Sequence, residues 1–204
     1  MNKIIPIIAF LFLASCMQKK KENPNIQNEK RTMKKFDIEE FKAKTNLQDD
    51  GKRYEYVKND SVFKLMENKN SFYEESKKVD EKIKSVANYD KEDFHIINSA
   101  KYFYRIPIGK TLFYNKEGQI INEIDNDADY AFSVYDLINK VKTTHNIDLN
   151  TSPQTKGVDR LFDETFNRYI YSVNYQKENE PVKYIIIDAQ TGEILKEGIL
   201  TINR

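Results

Sequence analysis

The chain has 204 residues, with 33 Lys or Arg against 32 Asp or Glu and a formal net charge of +1, so it lacks the basic excess that drives nucleic-acid binding. Its single cysteine excludes an intramolecular disulfide and any thiolate-built metal site. With no tryptophan, the 13 Tyr and 12 Phe must carry much of the packing.

At the amino end, Lys3 supplies a positive charge ahead of an apolar run from Ile4 to Leu13. That run is shorter than the roughly 20 residues a membrane-spanning helix needs, and it reads as the h-region of a signal peptide. It ends at Leu13, Ala14, Ser15 and Cys16, which resembles the bacterial lipobox. The resemblance implies that residues 1–15 are removed and that Cys16 is acylated, the new amino terminus with it. Two or more acyl chains hold a protein on a bilayer where one does so only marginally. The alternative is a buried cysteine in an N-terminal helix.

Residues 16–35 read as the lipidated cysteine and a flexible tether. Met17 to Lys35 hold seven Lys or Arg against two Glu and almost nothing apolar, a composition that cannot build a core. Lys3 carries +1 and the tether +5, which leaves residues 36–204 at −5, against a nucleic-acid partner for the folded part. The basic tether suits anionic head groups, or serves as a solvated spacer. Surface-exported lipoproteins of Bacteroidetes carry acidic residues after the anchor, where Lys19, Lys20 and Lys21 stand here. With the lipobox resemblance, this departure from the surface-exported pattern implies a lipid-anchored envelope protein on the outer membrane, facing the periplasm.

The remaining residues suffice for one domain with a core, or two small ones. A helix is expected near Asp37 to Lys44, with Asp37 and Glu40 as its capping pair. "RYEYVK" and "SVFKLME" alternate around Asn59 and Asp60 as the strands of a hairpin do. "SFYEESKKVDEKIKSV" fits either a strand or a helix. "FHIIN", "KYFYRIPI" and "TLFY" read as strands, and "NKEG" as a turn into "QIINEI". Ser133 and Asp136 open a helix in which Val134, Leu137, Ile138 and Val141 share a face. A polar loop holding Pro153 and Gly157 follows. "RYIYSVNY", "VKYIIID" and "EILKEGIL" complete the strands, giving an α+β, antiparallel, sheet-rich fold divided into a β-rich part, 36–132, and a C-terminal part, 133–204.

The C-terminal part, a helix followed by a hairpin whose strand runs from Tyr184 into Asp188-Ala189-Gln190-Thr191-Gly192-Glu193, resembles the PepSY module. The motif has a physical reason: Asp188 can accept backbone N–H bonds across the turn, and Gly192 supplies a positive φ. Asp188, Thr191 and Gly192 are therefore structural turn residues, with no catalytic residue implied. PepSY modules are regarded as binding or inhibitory units of secreted and envelope proteins. The span from Phe113 also resembles small Bacteroidetes lipoproteins and proteins encoded beside toxins.

Chemistry-bearing patterns are few. His95 and His145 are far apart and read as structural residues, the latter at a helix end where a cation suits the dipole. There is no nucleophile elbow and no phosphate-cradling glycine loop. Asp125, Asp127, Asp129 and Asp136 fall at positions 1, 3, 5 and 12 of a calcium loop, but Tyr130 stands where that loop requires glycine. The simpler reading is a polar strand-to-helix connection, with no metal and no cofactor. The paired acids Glu74 with Glu75 and Asp49 with Asp50 are adjacent in sequence and so point apart.

These features together lead to the expectation of a non-catalytic, lipid-anchored module that binds a protein or peptide, and inhibits it in some cases. Its partners would be the membrane, through lipid on Cys16, and a protein, not nucleic acid. The alternatives are an immunity protein against a secreted bacterial toxin, a structural lipoprotein, and a small hydrolase.

Overall fold

The computed structural model describes residues 34–45 and 52–200. Cys16, the signal segment, most of the tether, Asp49 and Asp50 lie outside the described residues. No helix among the described residues is long and apolar enough to cross a membrane. Among the described residues the fold is mostly antiparallel β-sheet, with eleven strands in two sheets and two helices.

The chain opens with α1 (Ile38–Thr45), capped where Asp37 Oδ1 accepts the Glu40 N–H at 2.9 Å. Seven strands then form a meander in which each pairs with the next: β1 (Arg53–Lys58), β2 (Ser61–Glu67), β3 (Phe72–Lys78), β4 (Ile83–Tyr89), β5 (Ile96–Phe103), β6 (Ile106–Tyr114) and β7 (Ile120–Asp125). The two-residue turn between β1 and β2 holds Asn59 and Asp60 at φ of 48° and 58°, left-handed conformations that short polar side chains tolerate and that match strand twist. The segment open to either helix or strand is the β3–β4 hairpin.

Helix α2 (Val134–His145) follows, with a complete capping box between Ser133 and Asp136 and a left-handed C-cap at Asn146. A second sheet closes the chain in the order β11-β10-β9-β8, from β8 (Thr155–Asp163), β9 (Arg168–Tyr175), β10 (Lys183–Asp188) and β11 (Ile194–Ile199). Strand β8 corrects the expected polar loop: Gly157 lies inside it, opposite Asn174. The C-terminal part is thus a helix and four strands, more than a helix and a hairpin. Lys34 and Lys35, expected in the tether, join the folded part, because Lys34 pairs with Glu74 at 2.6 Å and Lys35 bridges His95.

Register fixes which side chains share a face of the seven-stranded sheet, because residues directly opposite one another point the same way. One row joins Leu65, Glu74, Ala87 and Ser99, and the next joins Glu67, Phe72, Tyr89 and Ile96. Phe36 and Phe41 cover these rows, Phe36 stacking on Phe72 at 4.7 Å between centroids. Further along the same face, Ile83, Phe103, Ile106 and Ile108 enter a second core with Leu137 and Val141 of α2 and Tyr171, Ile185 and Ile187 of the smaller sheet. Ser76, Ser85 and Lys101 form the row between the two cores. Both cores therefore sit on one face, and each fully buried aliphatic or aromatic side chain there contributes roughly 1.5–3 kcal/mol. The second core draws on both the β-rich part and the C-terminal part, so the two are one packed body.

Candidate functional site

The opposite face of the large sheet carries Tyr73, Glu75 and Lys77 on β3, Lys84, Val86 and Asn88 on β4, and Asn98, Ala100 and Tyr102 on β5. These side chains satisfy one another laterally. Tyr73 Oη and Lys84 Nζ both donate to Glu75 Oε2, at 2.6 and 2.8 Å, and Asn88 Nδ2 donates to Asn98 Oδ1 at 2.9 Å. Burial raises the Tyr73 hydroxyl, and the neighbouring Glu75 carboxylate raises it further, so Tyr73 stays a neutral donor. Burial also works against the Glu75 charge, but Lys84 and Tyr73 outweigh it and hold the carboxyl below its ordinary range.

A cleft of about 340 Å³ opens on this face, lined by Tyr73, Lys84, Val86, Asn88, Tyr102, Tyr104 and Arg105. Its far wall is the two-residue turn Tyr104-Arg105 that joins β5 to β6, closed by the Phe103–Ile106 pair. Tyr104 sits at φ of 55°, an outlier for a bulky residue. It is held there by its Oη, which donates to Leu149 O at 2.9 Å, and by an edge-on contact with Phe103 at 4.8 Å. The turn leaves the Arg105 side chain 89% exposed, with Nη2 3.6 Å from Asp159 Oδ1.

Arg105 also lines a second cleft of about 320 Å³, with Ile106, Pro107, Asn126, Tyr130, Asp159 and Arg160. Arg160, only 6% exposed, ties the second sheet to the first. Its Nη1 donates to Asp127 Oδ1 at 2.6 Å, Asn126 O at 3.2 Å and Pro107 O at 3.3 Å, and Nη2 donates to Tyr171 Oη at 2.8 Å. The guanidinium carbon lies 4.2 Å from the Tyr130 ring centroid, and Nε has no acceptor. Burial pushes the Tyr171 hydroxyl up to about 12 against the pull of Arg160, so it remains a donor and bonds Phe132 O at 2.8 Å.

Two sequence motifs converge beside this cleft. Asp188 Oδ1 accepts the N–H groups of Gln190 and Thr191 at 2.7 and 2.9 Å, while Oδ2 accepts Arg168 Nη1 at 2.6 Å. Burial opposes the Asp188 charge, yet these three donors overcome it and hold the carboxyl below the usual range. Gly192 has φ of +72°, and a Cβ there would lie 2.3 Å from the Phe132 ring. The turn also reaches the acidic loop, since Gln190 Nε2 donates to Asp129 O at 2.7 Å and Phe132 N–H to Ala189 O at 2.9 Å.

Three of the four aspartates of the calcium-like pattern have other tasks. Asp127 binds Arg160 and the Gly109 N–H, Asp125 accepts the Asp127 N–H, and Asp136 closes the capping box. Among the described residues, the His, Asp and Glu side chains that converge are Asp90, Asp93 and His95. There His95 Nδ1 hydrogen-bonds Asp93, which Lys116 also faces at 3.4 Å, and the His95 bond first and foremost lowers the Asp93 carboxyl to about 2. His145 lies at the end of α2 and pairs with Glu197 at 3.0 Å. Glu74 and Glu75 point to opposite faces, the first toward Lys34 and Tyr89, the second toward Lys84 and Tyr73.

Neither Arg105 nor Arg160 was singled out by sequence, and neither segment carried a signal that would have found it. "KYFYRIPI" has no Gly, Asn or Asp to mark the turn at Tyr104, and Arg160 lies in the stretch read as loop. Compared with protein-family models, curated proteins and solved structures, the chain has no match in any of the three.

Proposed function

We propose that this protein is a lipid-anchored envelope lipoprotein whose folded part is a non-catalytic module that binds a protein or peptide. The observation that carries the binding reading is the cleft on the uncovered sheet face, which presents Tyr73, Tyr102 and Tyr104 and shares Arg105 with a second cleft, lined by Tyr130 and Arg160, at the junction with β8. Tyr and Arg are the residues in which binding energy concentrates at protein interfaces, because they combine large contact area with directional donors. Three titratable groups of the clefts are committed to local partners: Lys84 to Glu75, Arg160 to Asp127, and Tyr73 to Glu75. This pattern suits recognition and offers no poised base or nucleophile.

The finer reading is a PepSY-like C-terminal part. Helix α2, the antiparallel strands β9 to β11 and the Asp188–Gly192 turn support it, and β8 is additional to the helix and hairpin that the resemblance implies. The anchor rests on the lipobox-like residues ending at Cys16. A special case is immunity to a toxin, which a large secreted toxin gene immediately upstream would favour.

Two measurements test the reading. Replacement of Cys16 with Ala should move the chain from the membrane pellet to the soluble fraction; a variant that still pelleted after salt and carbonate washes would remove the anchor. The detergent-solubilised full chain, used as bait in its native envelope, should retain one stoichiometric protein, and Tyr102→Ala should release it. An empty bait from folded protein, or retention unchanged by the variant, would overturn the binding reading.

A further inference from the structure

Resting on the binding reading above, we propose that the paired clefts accept an acidic segment of a partner polypeptide. Its carboxylate enters the cleft lined by Arg105 and Arg160, and a neighbouring apolar side chain lies against Tyr73, Tyr102 and Tyr104. Three observations carry this assignment.

The first is an orphan donor. Arg160 is more than nine-tenths buried and lines the second cleft, yet its Nε–H has no acceptor, while Nη1 bonds Asp127, Asn126 and Pro107 and Nη2 bonds Tyr171 alone. A buried donor left unpaired is costly, so an oxygen that reached Nε, which is closed to solvent here, would offset a local widening of the cleft. Nε and its adjacent nitrogen form the edge of a guanidinium suited to a carboxylate.

The second is Arg105 itself. It is common to both clefts, projects from a turn held in a left-handed conformation at Tyr104, and touches Asp159 only at 3.6 Å. An exposed contact of that length holds the guanidinium weakly, so an incoming carboxylate can take it over. Asp159 is then a competitor for the cation, and its removal should strengthen binding.

The third is charge. Residues 36–204 carry −5, yet the first cleft is lined by Lys84 and Arg105 with no carboxylate among its lining residues. With Lys84 paired to Glu75 and Arg160 to Asp127, Arg105 is the weakly held cation of the site, and on an acidic domain it favours anionic partners. Val86 and the three tyrosines beside it call for an apolar side chain next to the acid, so a polypeptide fits better than a bare anion.

The test is calorimetric titration of the full chain in non-ionic micelles with acetyl-Phe-Glu-Glu-amide, acetyl-Phe-Gln-Gln-amide and acetyl-Phe-Lys-Lys-amide. The glutamate peptide is expected to bind about tenfold more tightly than the glutamine peptide, the difference one charge-assisted contact supplies, and the lysine peptide not at all. Arg105→Glu should abolish that preference, Arg105→Lys should keep part of it, and Asp159→Asn should raise affinity roughly threefold, all with unchanged unfolding midpoints. Equal or tighter binding of the lysine peptide, indifference to Arg105→Glu, or no binding by any peptide overturns the inference. Vesicles of phosphatidylglycerol offered to the chain carrying Cys16→Ser form the second arm: vesicle capture lost in Arg105→Glu, without peptide binding, assigns the site to lipid head groups instead. An envelope partner released by Tyr102→Ala but insensitive to Arg105→Glu would leave the binding reading standing and remove only its acidic chemistry.

Discussion

The two faces of the seven-stranded sheet are built from the same strands and serve opposite ends. On one, Phe72, Tyr89, Phe103 and Ile106 disappear under α1 and under α2 with the smaller sheet. On the other, Tyr73, Lys84, Asn88 and Tyr102 alternate with those residues along the chain and remain half-buried, satisfying their polar groups laterally. The difference teaches where tolerance to substitution lies: covered positions are fixed by packing, and uncovered positions are free to serve a partner.

The largest effect that would break this comparison is at Phe103, fully buried where the two parts of the molecule meet. Phe103→Ala should destabilise by about 3–5 kcal/mol in denaturant unfolding, because the cavity is shared by elements that cannot all collapse into it. A loss below about 1 kcal/mol would mean that this end of the sheet is not covered as described.

Next in size is Gly192. Its φ of +72° disfavours any side chain, and the Phe132 ring occupies the place of a Cβ. Gly192→Ala should cost about 2–4 kcal/mol in the same assay, strain and displaced packing together. The double change with Phe132→Ala relieves the overlap alone, so its cost should be less than the sum of the two.

Acid should act through Asp188. Its carboxyl titrates lower in the folded chain than the ordinary value near 3.9, so its stabilisation is fully present above that value and is lost as pH falls through it toward the folded pKa. Thermal unfolding of the wild type and of Asp188→Asn should therefore differ most near pH 6, and the gap should narrow below about pH 4. A gap that widened on acidification would contradict the arrangement of Arg168, Gln190 and Thr191 around the carboxylate.

The smallest stability effect belongs to the open face. Tyr102→Ala should change unfolding by less than about 1 kcal/mol, since its ring is half-exposed, while removing partner binding. A loss as large as that at Phe103 would erase the distinction between the faces.

Much of the architecture was legible because local chemistry and fold agree. The Asn59-Asp60 turn, the Ser133–Asp136 cap and the i, i+3, i+4 and i+7 face of α2 are signals carried by adjacent residues. The clefts were not legible, because their key positions contradict local rules. Tyr104 takes a turn conformation without a turn residue, held by Leu149 from 45 residues away, so "KYFYRIPI" reads as one strand and is two. Likewise β6 runs unbroken from Ile106 to Tyr114 through Gly109, at φ of +62°, where sequence suggested separate strands. Strand β8 has a mixed burial pattern, and Arg160 takes an inward position that a charged residue rarely holds without partners. Those partners, Pro107 on β6 and Asn126 and Asp127 in the turn after β7, are far away in the chain and invisible to spacing.

The most direct test of the central claim, that the uncovered face is the binding surface, is retention of an envelope protein by the solubilised full chain, compared among wild type, Tyr102→Ala and Ile121→Thr on the exposed edge strand β7. The account predicts stoichiometric retention by wild type and Ile121→Thr and its loss in Tyr102→Ala, with all three unfolding at the same denaturant concentration. Equal retention by all three folded proteins, or loss confined to Ile121→Thr, would contradict it.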